Sequence, residues 1–469
     1  MREAEAISEP IDRLAPLQKS ATEERFTHMV ETLDAAGFGP ADYLYSPLKW
    51  RLQKPEINRF SFRRALWRSG KEAIVNALPV PRKLPHAPIL IASSYVVSAN
   101  LLRQVVAALE PAERVFYYLG GVPPQPLPTR LADHLRNLLA LGPALVFAMG
   151  VRSTLGKAGA AAVERDRAAL AAFTHRMHRE TARSILNKVR PRCVVIGNAN
   201  RPLEFSLWAE AKARGVATVL LPYAEITLKP TRFLSLCRGA FDLVLPFSEL
   251  SAAQMRRLRP NVSTTVVGFP VGLNAAPTDV GAGDDESVKP AAKCLDALYF
   301  TGTNFEADAA ELLREAVQGS TGMRLRVRLH PRAGAEGREI YDWLGPNDLS
   351  DPHHVPLAED IQNSHVVLAI RSTAAIEAMI AGVPCIWLSP AAAHEQLKFS
   401  TLRAHNLTPL EASTPRELRA ILVRLRDIEG ERQRIVSEQW TRLRAAGYDR
   451  KYFELVASAL RQLIGVVRA

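Results

Sequence analysis

From Ala87 onward the chain alternates short apolar runs with longer amphipathic stretches. APILIA (87–92), ERVFYYLG (113–120), PALVFAMG (143–150), CVVIG (193–197), VATVLLP (216–222), DLVLPF (242–247) and STTVVGFP (263–270) read as strands. Helices are expected from about Ser98, over roughly Ala160–Arg190, over Leu203–Arg214, and between the later strands. Apolar runs without polar alternation, separated by helical patterns, predict a parallel sheet covered on both faces. Residues 274–292 are rich in Ala, Gly, Asp and Pro without periodicity, and read as a linker. The alternation restarts with ALYFTGTN (297–304), then LRVRLHP, HVVLAI and VPCIWL, and closes in three helices.

The expected architecture is therefore α/β, with two Rossmann-like domains facing a cleft and a helical N-terminal extension. The predicted divisions are 1–85 for the basic extension, 86–273 for the first domain, 274–295 for the linker and 296–469 for the second. No stretch is expected to approach the ~18–20 apolar residues that span a bilayer. MREAEAISEP lacks the apolar core of a secretory signal. Cys193, Cys237, Cys294 and Cys385 lie far apart without metal or redox spacing, and Cys193 and Cys385 read as buried thiols. A cytoplasmic protein is expected.

The formal charge of +12 comes mostly from arginine, and no motif that reads DNA or RNA is present, so a specific nucleic-acid partner is not expected. A phosphate-bearing substrate or an anionic membrane suits the sign. Between Lys49 and Lys83 the basic residues Lys49, Arg51, Lys54, Arg59, Arg63, Arg64, Arg68, Lys71, Arg82 and Lys83 meet only Glu56 and Glu72. Trp50, Phe60, Phe62 and Trp67 are interleaved. Two readings are open: peripheral contact with anionic lipid, or a basic surface whose aromatics pack on the neighbouring domain.

Candidate chemistry collects at strand ends of the second domain, where ligands of open parallel sheets bind. RVRLHPR (Arg326–Arg332) ends an alternating strand in His330-Pro331, and proline biases His330 away from helix. RSTAAIEAMIAGVP (Arg371–Pro384) follows HVVLAI and puts Ser372, Thr373 and Glu377 on the first turns of a helix, with Arg371 just before it. Helix starts attract anions through unpaired N–H groups. Thr301-Gly302-Thr303-Asn304 closes the first strand, with glycine allowing close backbone approach. His175/His178 and His353/His354 lack converging ligands, so metal-independent chemistry without a cofactor is expected.

The segment S-T-A-A-I-E-A-x-x-x-G-x-P resembles the nucleotide-sugar site of GT-B glycosyltransferases. Paired with His330-Pro331 some forty residues earlier, it is similar to sialyltransferases and polysialyltransferases, Kdo-transferring capsule enzymes and CDP-glycerol glycerophosphotransferases. The resemblance implies that His330 contacts the leaving phosphate. Gly302, Thr303, Arg371, Ser372 and Thr373 would then contribute to donor binding, and Glu377 would bond the ribose hydroxyls. It implies a CMP/CDP- or UDP-linked donor and a glycan or lipid-linked acceptor, in capsule or surface-polysaccharide synthesis.

In the first domain the chain departs from these families. It has no acidic D/E-D/E-G motif, and Pro222-Tyr223-Ala224-Glu225 stands where Gln-His-Gly is expected. Glu225, and Glu204 after GNANRP, are the candidate general bases at neighbouring strand ends. Three further readings share the fold: a CDP-polyol-phosphate transferase, a UDP-N-acetylglucosamine 2-epimerase type enzyme, and a catalytically silent scaffold.

Overall fold

A computed structural model describes residues 86–93, 96–109, 115–119, 131–197, 202–222, 241–258, 260–270, 294–302, 306–330, 335–370, 372–393, 397 and 401–466. It also describes residues 28, 29, 32, 33, 35, 36, 62, 63, 65–67 and 69. The proposed linker and most of the N-terminal extension lie outside these. By internal contacts the chain forms two compact units. One comprises Met1–Phe247, Ser251–Val267 and Phe453–Ala469, and the other Ser248–Leu250 and Gly268–Tyr452.

The first unit holds β1 (Ile89–Ser93), α1 (Val96–Leu109), β2 (Val115–Leu119), α2 (Leu131–Lys157), α3 (Ala162–Val189), β3 (Cys193–Ile196), α4 (Pro202–Ala213), β4 (Ala217–Leu220), β5 (Leu243–Val244), α5 (Glu249–Leu258, its first residues assigned to the second unit) and β6 (Ser263–Thr264). Its six strands run in the order β2-β1-β3-β4-β5-β6, and every pairing is parallel. β1, β3 and β4 are buried at every position, which is why they read as unbroken apolar runs. Cys193 lies within this core with no exposed surface.

The second unit holds β7 (Leu295–Phe300), α6 (Glu306–Val317), β8 (Met323–Arg328), α7 (Ala335–Glu339), β9 (Leu349–Ser350), α8 (Leu357–Gln362), β10 (Val366–Ala369), α9 (Ala374–Ile380), β11 (Cys385–Leu388), α10 (Thr401–Ala404), β12 (Glu411–Ala412), α11 (Pro415–Asp427) and α12 (Glu431–Ala446). The last helix, α13 (Tyr452–Val466), falls almost wholly within the first unit. The second sheet, also parallel, has the order β12-β11-β10-β7-β8-β9. Numbered from β7, that is the doubly wound Rossmann order, and the direction of winding reverses between β7 and β10. Both units are thus Rossmann-like α/β layers.

One strand expectation is corrected. PALVFAMG lies inside α2, a helix of 27 residues that carries Pro143 in its interior. The Gly142-Pro143 pair reads as a break, but Ala140, Ala144, Ala148, Val151 and Leu155 recur at helical spacing through it and are buried. Pro143 sits on the exposed side of the helix, as does Leu139, whose carbonyl loses its N–H partner there. A second correction follows. Leu138–Lys157 is long and apolar enough, by length and composition, to cross a membrane.

In the second unit, β8 alternates Arg324, Arg326 and Arg328 with buried Leu325 and Val327. Exposed Arg324 pairs with Asp348, whereas Arg326 and Arg328 are largely enclosed and meet buried Asp360 of α8. Arg326 Nη1 donates to Asp360 Oδ1 at 3.0 Å, and Arg328 Nη1 donates to the other carboxylate oxygen. Arg326 also donates to the carbonyl of Asn363 at 3.0 Å, and Arg328 to that of Val355 at 2.9 Å. One carboxylate thereby ties the β9–β10 connection to β8. Asp360→Ala should leave two enclosed guanidiniums without a counter-charge and cost about 3–5 kcal/mol of stability. Urea unfolding of the wild-type and variant proteins measures this; a loss below about 1 kcal/mol would contradict it.

Candidate functional site

The carboxyl ends of β8, β7 and β10, neighbours in that order, form the candidate site. The register aligns Arg328 with Phe300, and Phe300 with Ala369. His330 and Gly302 therefore both lie two residues past the same row, and Ser372 lies three past it. The row straddles the reversal between β7 and β10, where connections leave in opposite directions and open a crevice above the sheet.

Local bonds fix these ends. The His330 N–H donates to Thr301 Oγ1 at 2.6 Å, and the Thr301 N–H donates to the Arg328 carbonyl at 3.1 Å. The end of β8 is thus latched to the end of β7. Thr301 is buried, whereas His330 and Gly302 are half-buried at the rim. At the start of α9, Ser372 Oγ accepts the Ala374 N–H at 3.3 Å, while the Thr373 hydroxyl makes no capping bond. Gly382, at φ +76°, ends α9 in a left-handed turn. Its N–H bonds the Met379 carbonyl, and the Val383 N–H bonds that of Ala378, a Schellman closure. Pro384 follows and leads into β11, as its position predicts.

Glu377 faces a mostly enclosed environment. Burial raises its carboxyl from the ordinary 4.5 to about 7, although the Arg328 guanidinium pulls it down. Arg328 therefore lies between two carboxylates, paired to Asp360 and within electrostatic reach of Glu377. A carboxyl near 7 is half ionised at neutral pH, so ligand hydroxyls that donate to it would favour its ionised form.

Of the other residues singled out in the sequence, Thr303, Arg371 and Glu225 lie outside the described residues. Glu204 is in the first turn of α4 in the first unit, fully buried and engaged with neighbouring groups. An acceptor hydroxyl would reach it only if the start of α4 moved. His175 and His178 lie in α3, where burial lowers them to about 3 and about 4 and keeps both neutral. His175 Nδ1 is 3.0 Å from Ser206 Oγ, a buried bond between α3 and α4.

Sequence reasoning missed Thr301 as the latch, Arg328 as the neighbour of Glu377, and Asp360 as their anchor. The signal for the last two was arginine on every second residue of a strand. Where such arginines are enclosed, they have to be paired and hydrogen-bonded.

No family model matches the chain, and no curated protein matches it. Similar solved structures include the wall teichoic acid polymerase TagF, with 11% identity and a TM-score of 0.49 over 89% of this chain and 100% of that one. The UDP-GlcNAc 2-epimerase from Neisseria meningitidis has 10% identity and a TM-score of 0.47, over 80% and 99%. A UDP-glucosyltransferase from Polygonum tinctorium has 12% identity and a TM-score of 0.45, over 82% and 99%. The fold assignment rests on strand order and register, not on these likenesses.

The raised Glu377 carboxyl fixes a sign for stability. Its folded value of about 7 lies above the unfolded 4.5, so between these the folded chain holds the extra proton. Its contribution is most favourable below 4.5 and is lost as pH rises towards 7. Glu377→Gln should therefore gain stability relative to wild type across that window, with the difference levelling above it. Urea unfolding at a series of pH values reads this; a difference independent of pH would mean that Glu377 titrates normally.

Proposed function

We propose that this protein is a metal-independent glycosyltransferase that uses a nucleotide-activated donor, with the nucleotide held at the β8/β7/β10 ends of the second unit. The observation that carries the reading is the alignment of His330, Gly302 and Ser372 on three adjacent strand ends at the winding reversal, with Glu377 one helical turn further on. The chemistry suits a leaving group joined through phosphate. The imidazole of His330 and the hydroxyls of Ser372 and Thr373 can donate to phosphate oxygens, and Glu377 can accept from ribose hydroxyls. A donor aimed at the departing phosphate stabilises charge that grows in the transition state.

The sugar is read as Kdo- or sialic-acid-like, carried on CMP, and the acceptor as a glycan or lipid-linked hydroxyl of surface-polysaccharide synthesis. These finer assignments follow the sequence resemblance at Ser372–Pro384 and His330-Pro331. Glu225 is the acceptor-side base in this reading, on its place just past β4. A CDP-polyol donor would use the same groups in the same roles. Release of CMP accompanies both reactions, so the mass of the product separates them.

His330→Ala should lower the turnover number by about 100-fold or more while nucleotide affinity changes only a few-fold, because the bond strengthens as the phosphate departs. Donor turnover with calorimetric nucleotide titration measures both. An unchanged turnover number in a folded variant removes His330 from the reaction. A loss of affinity with the turnover number unchanged would make it a ground-state binding group instead.

A further inference from the structure

The large exposed apolar side chains are concentrated in one place. Among the described residues they are Leu135, Leu138, Leu139, Leu145, Val146 and Met149 of α2, Trp67, and, in the second unit, Ile428. Leu139 is 78% exposed, Val146 74% and Trp67 76%. Positions 135, 138, 139, 145, 146 and 149 follow helical spacing, so they form one stripe along α2. The opposite face is committed: Ala140, Ala144 and Ala148 pack on Ala169, Phe173 and Met177 of α3. Phe62 and Leu66 join that cluster, which places the helical residues bearing Trp67 against α2.

We propose that the outward stripe of α2, together with Trp67, is a membrane-docking surface that lies in the headgroup–acyl boundary of an anionic bilayer. Charge selects this occupant. No charged residue interrupts α2 from Asn137 to Val151, whereas Arg152 and Lys157 follow it. The segment around Trp67 is basic, with ten Lys or Arg against two Glu between Lys49 and Lys83, and Arg63 is exposed beside it. An apolar stripe flanked by cations is the composition of a helix lying on anionic lipid. A second copy of a chain with formal charge +12 would instead meet charge of the same sign.

A spanning helix fits less well, despite sufficient length. Arg152 Nε bonds Asp166 Oδ1 of α3 at 2.5 Å, and its guanidinium lies 5.2 Å over the Phe62 ring. Crossing the bilayer would require α2 to leave α3, or would take Glu164, Arg165, Asp166 and Arg167 of α3 into hydrocarbon. Lying flat keeps the α2–α3 packing intact and buries only the stripe.

The proposal stands independently of the transferase reading, and its test measures no transfer. The full-length protein is floated with phosphatidylcholine vesicles, with and without phosphatidylglycerol, at rising salt. Wild type should float with the anionic vesicles, much less with the neutral ones, and progressively less as salt screens the contact. Leu139→Asp with Val146→Asp should lower the floated fraction about tenfold or more, and the surface control Ile428→Asp should leave it unchanged. Matched circular dichroism melts show that the variants fold. Wild type that stays with the soluble fraction overturns the proposal, as does a double variant that floats normally. A lipid-free dimer that the double variant dissociates, without vesicle binding by wild type, would assign the stripe to a second copy instead.

Discussion

The enclosed carboxylate of Asp360 governs the second unit. β8 carries three arginines, and the two enclosed ones, Arg326 and Arg328, converge on this one group. Without it the strand would carry uncompensated charge into the interior, where such charge costs several kcal/mol. With it, β8 can sit beside β7, and its last residues reach the row from which His330 projects. The same pairing satisfies Arg328 on one side, so its field reaches Glu377 as a secondary influence. Burial then dominates at Glu377, and the carboxyl rises to about 7.

The site follows from topology as much as from side chains. In a doubly wound sheet, strand ends next to the reversal are the one edge from which consecutive loops diverge. β7, β8 and β10 end there, and the Thr301 hydroxyl latches two of them together. The α9 segment is short, with Gly382 closing it in a left-handed turn, so Glu377 is held a fixed distance from Ser372. Rigid strands thus carry the polar groups, while apolar packing on both faces holds the strands.

Much of this was legible in the sequence because burial on two faces writes a strand as an unbroken apolar run. CVVI, VVLA and CIWL are such runs, and each is a strand. For the same reason His330 could be placed at a strand end, and Ser372, Thr373 and Glu377 on the start of the helix that follows another strand. PALVFAMG shows where the rule fails: a helix that packs on one side and presents apolar side chains on the other also writes an unbroken run. The Gly-Pro pair then disguised its length. The two-residue strands β9 and β12 leave no periodicity to read. Asp360 was illegible because an ion pair over more than thirty residues has no local signature, and the Glu377 carboxyl because its value depends on burial.

The central claim is that a nucleotide binds at the β8/β7/β10 ends. Hydrogen–deuterium exchange of the full-length protein, with and without saturating CMP, CDP or UDP, tests it most directly. The account predicts protection confined to the peptides around Thr301–Gly302, Arg328–His330 and Ser372–Ala378 for at least one of these nucleotides. Protection at the strand ends of the first unit alone, or no protection with any of them, would contradict it.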